Sequence, residues 1–261
     1  MAHITWNEID DQQYNFEDYY CAFLDILGYK YSMKLFFQGK FNLFGRIQRA
    51  MRFAGVETSP QNSPDKIITR IFSDSIILTA PKSDVDICCF LNYIGQLTTY
   101  FGLEGLFLRG GVSCGKLFEI TENSDNNYSF LAAEGLVKAY QMEMTAVYPM
   151  IVIDDNIISD ITLSDFVVMN ETKYIFNNAK FIINAQANNE TDIIAELQEL
   201  IDKKDSFSDV HIREKYEWLI NYYLWYIEVC QKKYGKFDLS RFAPFDKEKK
   251  MKYIFLSLIH I

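Results

Sequence analysis

The stretch Lys66–Ala80, KIITRIFSDSIILTA, sets the strongest constraint on the fold. Two runs of strand formers, IITRIF and IILTA, flank Ser73-Asp74-Ser75, three residues that favour turns. The segment reads as a β-hairpin with Asp74 at its tip, and Pro81 ends the second strand. The chain is thereby committed to antiparallel pairing here. Around the hairpin, Tyr19–Ile26 (YYCAFLDI) is a short apolar, aromatic run that predicts a buried strand. Helical spacing follows over Tyr29–Phe37 and again over Leu43–Phe53. Thr58–Pro64 is a loop by composition, and Asp84–Phe101 fits a helix. Gly105–Ile120 is rich in strand formers, and its glycines predict a sharp bend or a second hairpin. Thr121–Asn127 is a polar loop, Leu131–Val147 an amphipathic helix, and Pro149–Ile153 another buried strand.

This order implies an α+β fold: a mostly antiparallel, ferredoxin-like sheet flanked by helices. We divide the chain into a core, residues 1–154, and an accessory region, residues 155–261. The latter holds two short strand-like pieces, Phe166–Met169 and Tyr174–Phe176, and then helical stretches over 190–203 and 210–233. The second of these helices carries an aromatic stripe. The tail from Pro244 is basic and then apolar, and residues 1–17 read as a polar arm.

Charge and composition exclude several functions. The chain has 26 Lys plus Arg against 35 Asp plus Glu, a net charge of −9. Binding to a nucleic acid duplex, which runs on clustered positive charge, is not expected. A nucleotide pocket remains open, because a few local cations suffice for it. No apolar run reaches the roughly 18 residues that span a bilayer. The acidic N-terminal sequence lacks the pattern of a signal peptide. Cys21, Cys88, Cys89, Cys114 and Cys230 have no CxxC spacing, and three lie in apolar surroundings, so reduced thiols in a cytoplasmic protein are expected. Three histidines, two near the termini, disfavour a histidine-based triad or metal site.

Two carboxylates stand out. Asp25 is the single charge in an apolar strand, costly to bury unless paired or metal-bound. Asp74 sits at the hairpin tip. If the strands are neighbours, both point at one spot, and such a pair suits Mg²⁺ or Mn²⁺. Helix capping by Asp25 and ordinary turn chemistry at Asp74 are the competing readings.

At these residues the sequence resembles the class III nucleotidyl cyclases. FLDILGYK resembles their first metal-binding segment and RIFSDSIIL their second. GGVSCGKLF and AEGLVKAYQMEMTAVYPMIVI resemble two later segments, and all four stand in the family's order from Tyr19 to Ile153. The variant forms look most like the pyrimidine cyclases of bacterial Pycsar antiphage systems. The resemblance implies a class III cyclase catalytic core with a C-terminal helical lobe. It implies two divalent ions, Mn²⁺ or Mg²⁺, held by Asp25, Asp74 and the Ile26 carbonyl. It also implies a cytoplasmic homodimer with sites at the interface, a UTP or CTP substrate, and a separate effector that responds to the cyclic product.

Site roles follow position by position from the same resemblance. Lys116 falls where the family often has a phosphate-contacting Arg, and Arg109 lies in the same strand; an exposed lysine and a salt bridge are the competing readings. Arg70 and Phe130 fall at the two base-reading positions. Arg70 is donor-only and Phe130 offers no acceptor, which favours UTP over CTP and disfavours a purine. Tyr29 flanks the base or fills the core. The family's Asn and Arg on the later helix fall at Val137 and Gln141; Lys138, on the same helix face as Gln141, is the expected substitute. Glu134 and Glu143 read as structural. A purine cyclase and a catalytically silent nucleotide-binding module are the alternatives.

Overall fold

Strand β1 (Glu17–Ile26) lies at the heart of a single sheet, paired antiparallel with β3 (Ser75–Pro81) on one side and β4 (Leu108–Thr121) on the other. The computed structural model describes residues 16–57, 66–121, 129–163, 165–170, 172–181, 190–234 and 253–255. Strand β2 (Ile68–Phe72) forms the expected hairpin with β3 across a two-residue turn, Ser73-Asp74. Strand β5 (Ser129–Ala133) pairs with β4. Strand β6 (Ile151–Ile153) joins β4 in the one parallel pairing among the described strands. Helices α1 (Tyr29–Phe37) and α2 (Leu43–Glu57) follow β1, α3 (Ile87–Leu103) follows the hairpin, and α4 (Glu134–Thr145) follows β5. The architecture is α+β, a mostly antiparallel sheet flanked by helices, as the sequence pattern requires.

The sheet divides the molecule into two layers. Residues Tyr20, Ala22, Leu24 and Ile26 of β1 point to one face, where they meet α2 and α3. Phe90 and Phe101 of α3 are fully buried there. Burying each contributes about 2–3 kcal/mol as an upper figure. The alternate residues of β1, Tyr19, Cys21, Phe23 and Asp25, point to the opposite face. Helix α4 crosses that face over β4 and β1.

The residues after 154 continue the same sheet. Strand β8 (Lys173–Phe176) pairs with β6, and β7 (Val167–Asn170) pairs with β8. Strand β9 (Tyr253–Phe255) adds to β7. Helices α5 (Glu190–Ser206) and α6 (Val210–Tyr234) pack on the α4 face in a second core built from Leu197, Leu200, Tyr222, Tyr223 and Ile227.

Two expectations are corrected. Strand β4 is one unbroken strand, not a bend or a hairpin, with continuous register from Leu117 to Leu108 against β1. A hairpin is made instead with β5, which takes Ser129 and Phe130, beyond the expected polar loop, and the first three residues of the expected helix, Leu131–Ala133. The glycines of β4 serve close approach instead of turning. A Cβ on Gly111 would lie 2.3 Å from the Ala139 carbonyl oxygen of α4. Gly111→Ala is therefore expected to lift α4 and destabilise the fold by about 1–3 kcal/mol in urea unfolding. Gly55→Ala, in α2 where nothing lies within 4 Å of the added carbon, is expected to be neutral or stabilising by up to about 1 kcal/mol. Equal losses for both would remove the close-approach explanation. Of the expected arm over residues 1–17, Glu17 instead opens β1, while residues 1–15, the loop Thr58–Pro64, residues 122–127 and most of the tail lie outside the described residues.

Candidate active site

The two anomalous carboxylates meet at one end of the sheet. Asp25 is the penultimate residue of β1, opposite Ser75 of β3 and Arg109 of β4. Asp74 sits in the hairpin turn directly before Ser75. The turn is fastened to β1 through its main chain: the Ile26 N–H donates to the Asp74 carbonyl at 2.8 Å. Ser73 takes a left-handed conformation, φ 58°, unusual for a residue with a side chain and tolerated in this tight turn. Hairpin geometry therefore carries Asp74 to the end of β1.

Arg109 organises the carboxylates. Its Nε donates to Asp25 Oδ2 at 3.0 Å, and its Nη2 lies 2.8 Å from Glu143 Oε1 on α4. A third bond, from Nη1 to the Ala146 carbonyl at 3.3 Å, fixes the fork at the end of α4. Glu143 Oε1 is close to the guanidinium, yet no described donor points at it, so this contact is an ion pair by distance and not an aligned hydrogen bond. Glu143 is only 5% exposed. Burial pushes its carboxyl pKa up; Arg109 pulls it back, and Asp25 and Asp74 add to the rise. Asp25 is likewise raised, first by burial; the charge and hydrogen bond of Arg109 offset part of this, and Asp74 adds to it. Lys215 of α6 also acts on Asp25, lowering its pKa.

The donor set suits a hard divalent cation. The Asp74 carboxylate makes no hydrogen bond or ion pair with a described residue, and the hydrogen bond from Arg109 to Asp25 goes to Oδ2 and not Oδ1. Two adjacent carboxylates, one without a partner among the described residues, favour a cation between them. Among the described residues no group of three or more His, Cys, Asp or Glu side chains converges on one point. A metal here would complete its shell with carbonyl, phosphate and water oxygens, the habit of Mg²⁺. The Ile26 carbonyl, one residue beyond Asp25, is the nearest such group in sequence.

The other expected site residues are distributed differently. Tyr29 is 9% exposed and belongs to the main core, so its ring is spent on packing. Lys116 pairs with Asp18 across the strands and bonds its carboxylate at 2.9 Å. It lies seven residues along β4 from Arg109, about 23 Å away and on the opposite face of the sheet. The unbent strand therefore keeps Lys116 away from the Asp25 site of its own chain. Arg70 shares the face of Asp25, but its guanidinium is turned to both carboxylate oxygens of Glu119 at 2.6 Å and to Thr79 Oγ1. Lys138 pairs with Glu134 one turn earlier at 2.8 Å. Gln141 and Val137 are exposed on α4. Phe130 is in β5 opposite Ile120; its side chain lies outside the described residues.

In the sequence Glu143 reads as structural, and Lys215 is not singled out. Glu143 had a signal: it falls one turn after Ala139, on the sheet-facing side of an amphipathic helix, where a carboxylate needs a partner. Lys215 had none, because only the tertiary packing of α6 brings it to β1.

No protein-family model matches this sequence, and no curated protein does. Among solved structures the chain is similar to the guanylyl cyclase domain of the RhoGC fusion protein from the aquatic fungus Blastocladiella emersonii. That match has 15% identity, covers 61% of this chain and 94% of the other, and has a TM-score of 0.46. It is similar also to the adenylyl cyclase CyaB from P. aeruginosa, with 9% identity, 63% and 94% coverage and a TM-score of 0.46. A third is the guanylate cyclase domain of RhGC from Catenaria anguillulae in complex with GTP, with 14% identity, 61% and 93% coverage and a TM-score of 0.44. Among the described residues no helix is long and apolar enough to cross a membrane.

Proposed function

We propose that this chain is a nucleotide cyclase that converts a pyrimidine nucleoside triphosphate, UTP in preference to CTP, into its 3′,5′-cyclic monophosphate and pyrophosphate. The observation that carries the reading is the junction of β1 with the hairpin tip. It sets Asp74, whose carboxylate has no hydrogen bond or ion pair among the described residues, beside Asp25. The ordered family-like segments from Tyr19 to Ile153 supply the reaction class.

In this reaction the ribose 3′-oxygen loses its proton and attacks the α-phosphorus. The new O–P bond forms as the bond to the bridging oxygen of the β-phosphate breaks, and pyrophosphate leaves with the electron pair. Asp25, Asp74 and the Ile26 carbonyl would hold two divalent ions, Mn²⁺ or Mg²⁺, which lower the hydroxyl pKa and neutralise the triphosphate. Arg109 holds the Asp25 carboxylate in one orientation and limits the charge at the site. Glu143 anchors Arg109 from α4.

A homodimer is part of the proposal. On the Asp25 face an apolar strip stays exposed: Ile68, Phe72, Val137, Tyr140 and Met144 are each between 42% and 64% accessible. A second copy covering this strip would bring its exposed Gln141 and Lys138 toward the first copy's carboxylates. Sedimentation of the active enzyme as a monomer would overturn this part. The cyclic product would act on a separate effector protein in antiphage defence.

The preference for UTP rests on the donor-only Arg70 and on the lack of an acceptor at Phe130. Because Glu119 occupies the Arg70 guanidinium, base reading requires that pair to open or to share a donor. The test incubates the protein with UTP, CTP, ATP and GTP separately, with Mn²⁺, and resolves products by chromatography and mass spectrometry. Cyclic UMP is the expected product. Cyclic AMP or cyclic GMP would overturn the pyrimidine reading, and no product from any nucleotide would overturn the cyclase.

A further inference from the structure

We infer that Lys215, on the C-terminal helix α6, is a polyphosphate-binding cation of this site, so that α6 completes the nucleotide pocket from within the same chain. The inference rests on the cyclase reading for the identity of the substrate, but its physical content is anion binding at a named lysine.

A cavity of about 160 Å³ opens beside the end of β1. One wall is formed by Leu27 and Gly28, the residues that directly follow Asp25 and Ile26. The facing wall comes from the start of α6 and the residues before it, including Phe207, Lys215 and Tyr216. Among the described residues Lys215 is the only Lys or Arg in that lining. The backbone at Gly28 has a left-handed conformation, φ 74°, and nothing lies within 4 Å of the position a Cβ would take. A ligand can therefore approach the main chain there without meeting a side chain. A triphosphate held at its α-phosphate by the Asp25 end of the site would extend its β- and γ-phosphates into such a space.

The state of the cations singles out Lys215. Arg70, Lys116 and Lys138 are each tied to a carboxylate: Glu119, Asp18 and Glu134. Arg109 is divided between Asp25 and Glu143. Lys215 is half-buried, and among the described residues it makes no ion pair or hydrogen bond. An ammonium at a cavity wall with no carboxylate paired to it among the described residues is open to an anionic ligand. Lys215 lines the same cavity as Leu27 and Gly28, the residues that follow Asp25 and Ile26. A compact charge on a flexible stem suits a phosphate terminus, whose oxygens present no fixed direction.

The test measures binding of inorganic tripolyphosphate with Mg²⁺ by titration calorimetry, so that neither base recognition nor turnover enters. Lys215→Met is expected to weaken that binding about tenfold or more, as for loss of one charged hydrogen bond. Binding of nucleoside monophosphate should be unchanged, and Lys215→Arg should retain most of the tripolyphosphate affinity. Lys203→Met, which removes a nearby α5 cation already paired with Glu199, should behave as wild type. Lys215→Gln serves if the methionine variant does not fold. Wild-type protein that fails to bind tripolyphosphate would overturn the inference. So would a Lys215→Met protein that binds it normally, or equal losses in the Lys203 variant. A protein that binds tripolyphosphate through Lys215 but forms no cyclic product would instead leave this assignment standing and remove the cyclase.

Discussion

Asp74→Ala is expected to reduce cyclic-nucleotide formation at least about a thousandfold while leaving the protein folded. The asymmetry comes from how the residue is held. Its structural contribution is made by the main chain, through the carbonyl that accepts the Ile26 N–H, and alanine keeps that bond. Its side chain makes no hydrogen bond or ion pair with a described residue, so truncation breaks none. Turnover is another matter. A carboxylate that holds a divalent ion against the reacting phosphate supplies several kcal/mol of charge stabilisation in the transition state. About 4 kcal/mol corresponds to three powers of ten in rate. Stability should be equal to wild type or slightly higher, because Asp74 raises the pKa of both Asp25 and Glu143 and its removal relieves that repulsion. Asp25→Ala is the poorer test, since it also strands Arg109. Mn²⁺ bound to the nucleotide-loaded enzyme, read by electron paramagnetic resonance, should be lost in parallel with turnover. An Asp74→Ala protein with a tenth or more of wild-type rate would show that the hairpin tip is not part of the reacting site.

The strands and helices around Asp25 and Asp74 were legible because each is local. Apolar runs, a Ser-Asp turn and helical spacing are decided within a few residues, and the observed elements follow them closely. Strand β5 was not, because SFLAAEGLVKAY passes from strand to helix with no Gly, Pro or Asn at the Ala133–Glu134 boundary, and its one glycine, Gly135, stands inside α4. Helix α4 begins at Glu134, after an Ala instead of a capping side chain. The glycines of β4 misled for a different reason. A glycine that admits a neighbouring helix and one that turns the chain look alike in sequence, and only the position of α4 separates them. The resemblance names Lys116 and Arg109 as residues of one strand, and in the straight strand their odd separation puts them on opposite faces. The paired carboxylates survived because a charge in a buried strand demands a partner wherever the fold takes it. Lys215 was invisible because its role depends on where α6 docks, a decision made by the buried residues of that helix, among them Trp218, Tyr222 and Ile227.

Arg109→Met should show how strongly that demand acts on stability. The substitution keeps an apolar stem in place and removes the one guanidinium shared by Asp25 and Glu143. Breaking a buried pair from one side costs about 3–5 kcal/mol. Here Arg109 and Asp25 retain 27% and 18% side-chain exposure, so solvent shares the load and about 2 kcal/mol is the expected loss near neutral pH. The loss should depend on pH in a definite direction. Both carboxyls titrate above their ordinary values of 3.8 and 4.5 in the folded chain. The folded state therefore holds more protons than the unfolded state, and stability falls as pH rises through this window. Arg109 opposes the rise at both residues, so its removal moves both folded values higher and deepens the fall. Urea midpoints for wild type and Arg109→Met should thus lie close together near pH 4 and separate as pH increases. Adding Glu143→Gln to the Arg109 variant should restore about half of the loss, since it neutralises the more deeply buried carboxylate. A loss that is the same at every pH, and that Glu143→Gln does not repair, would mean that Arg109 contributes through its packing and its bond to the Ala146 carbonyl, and not by holding two buried charges.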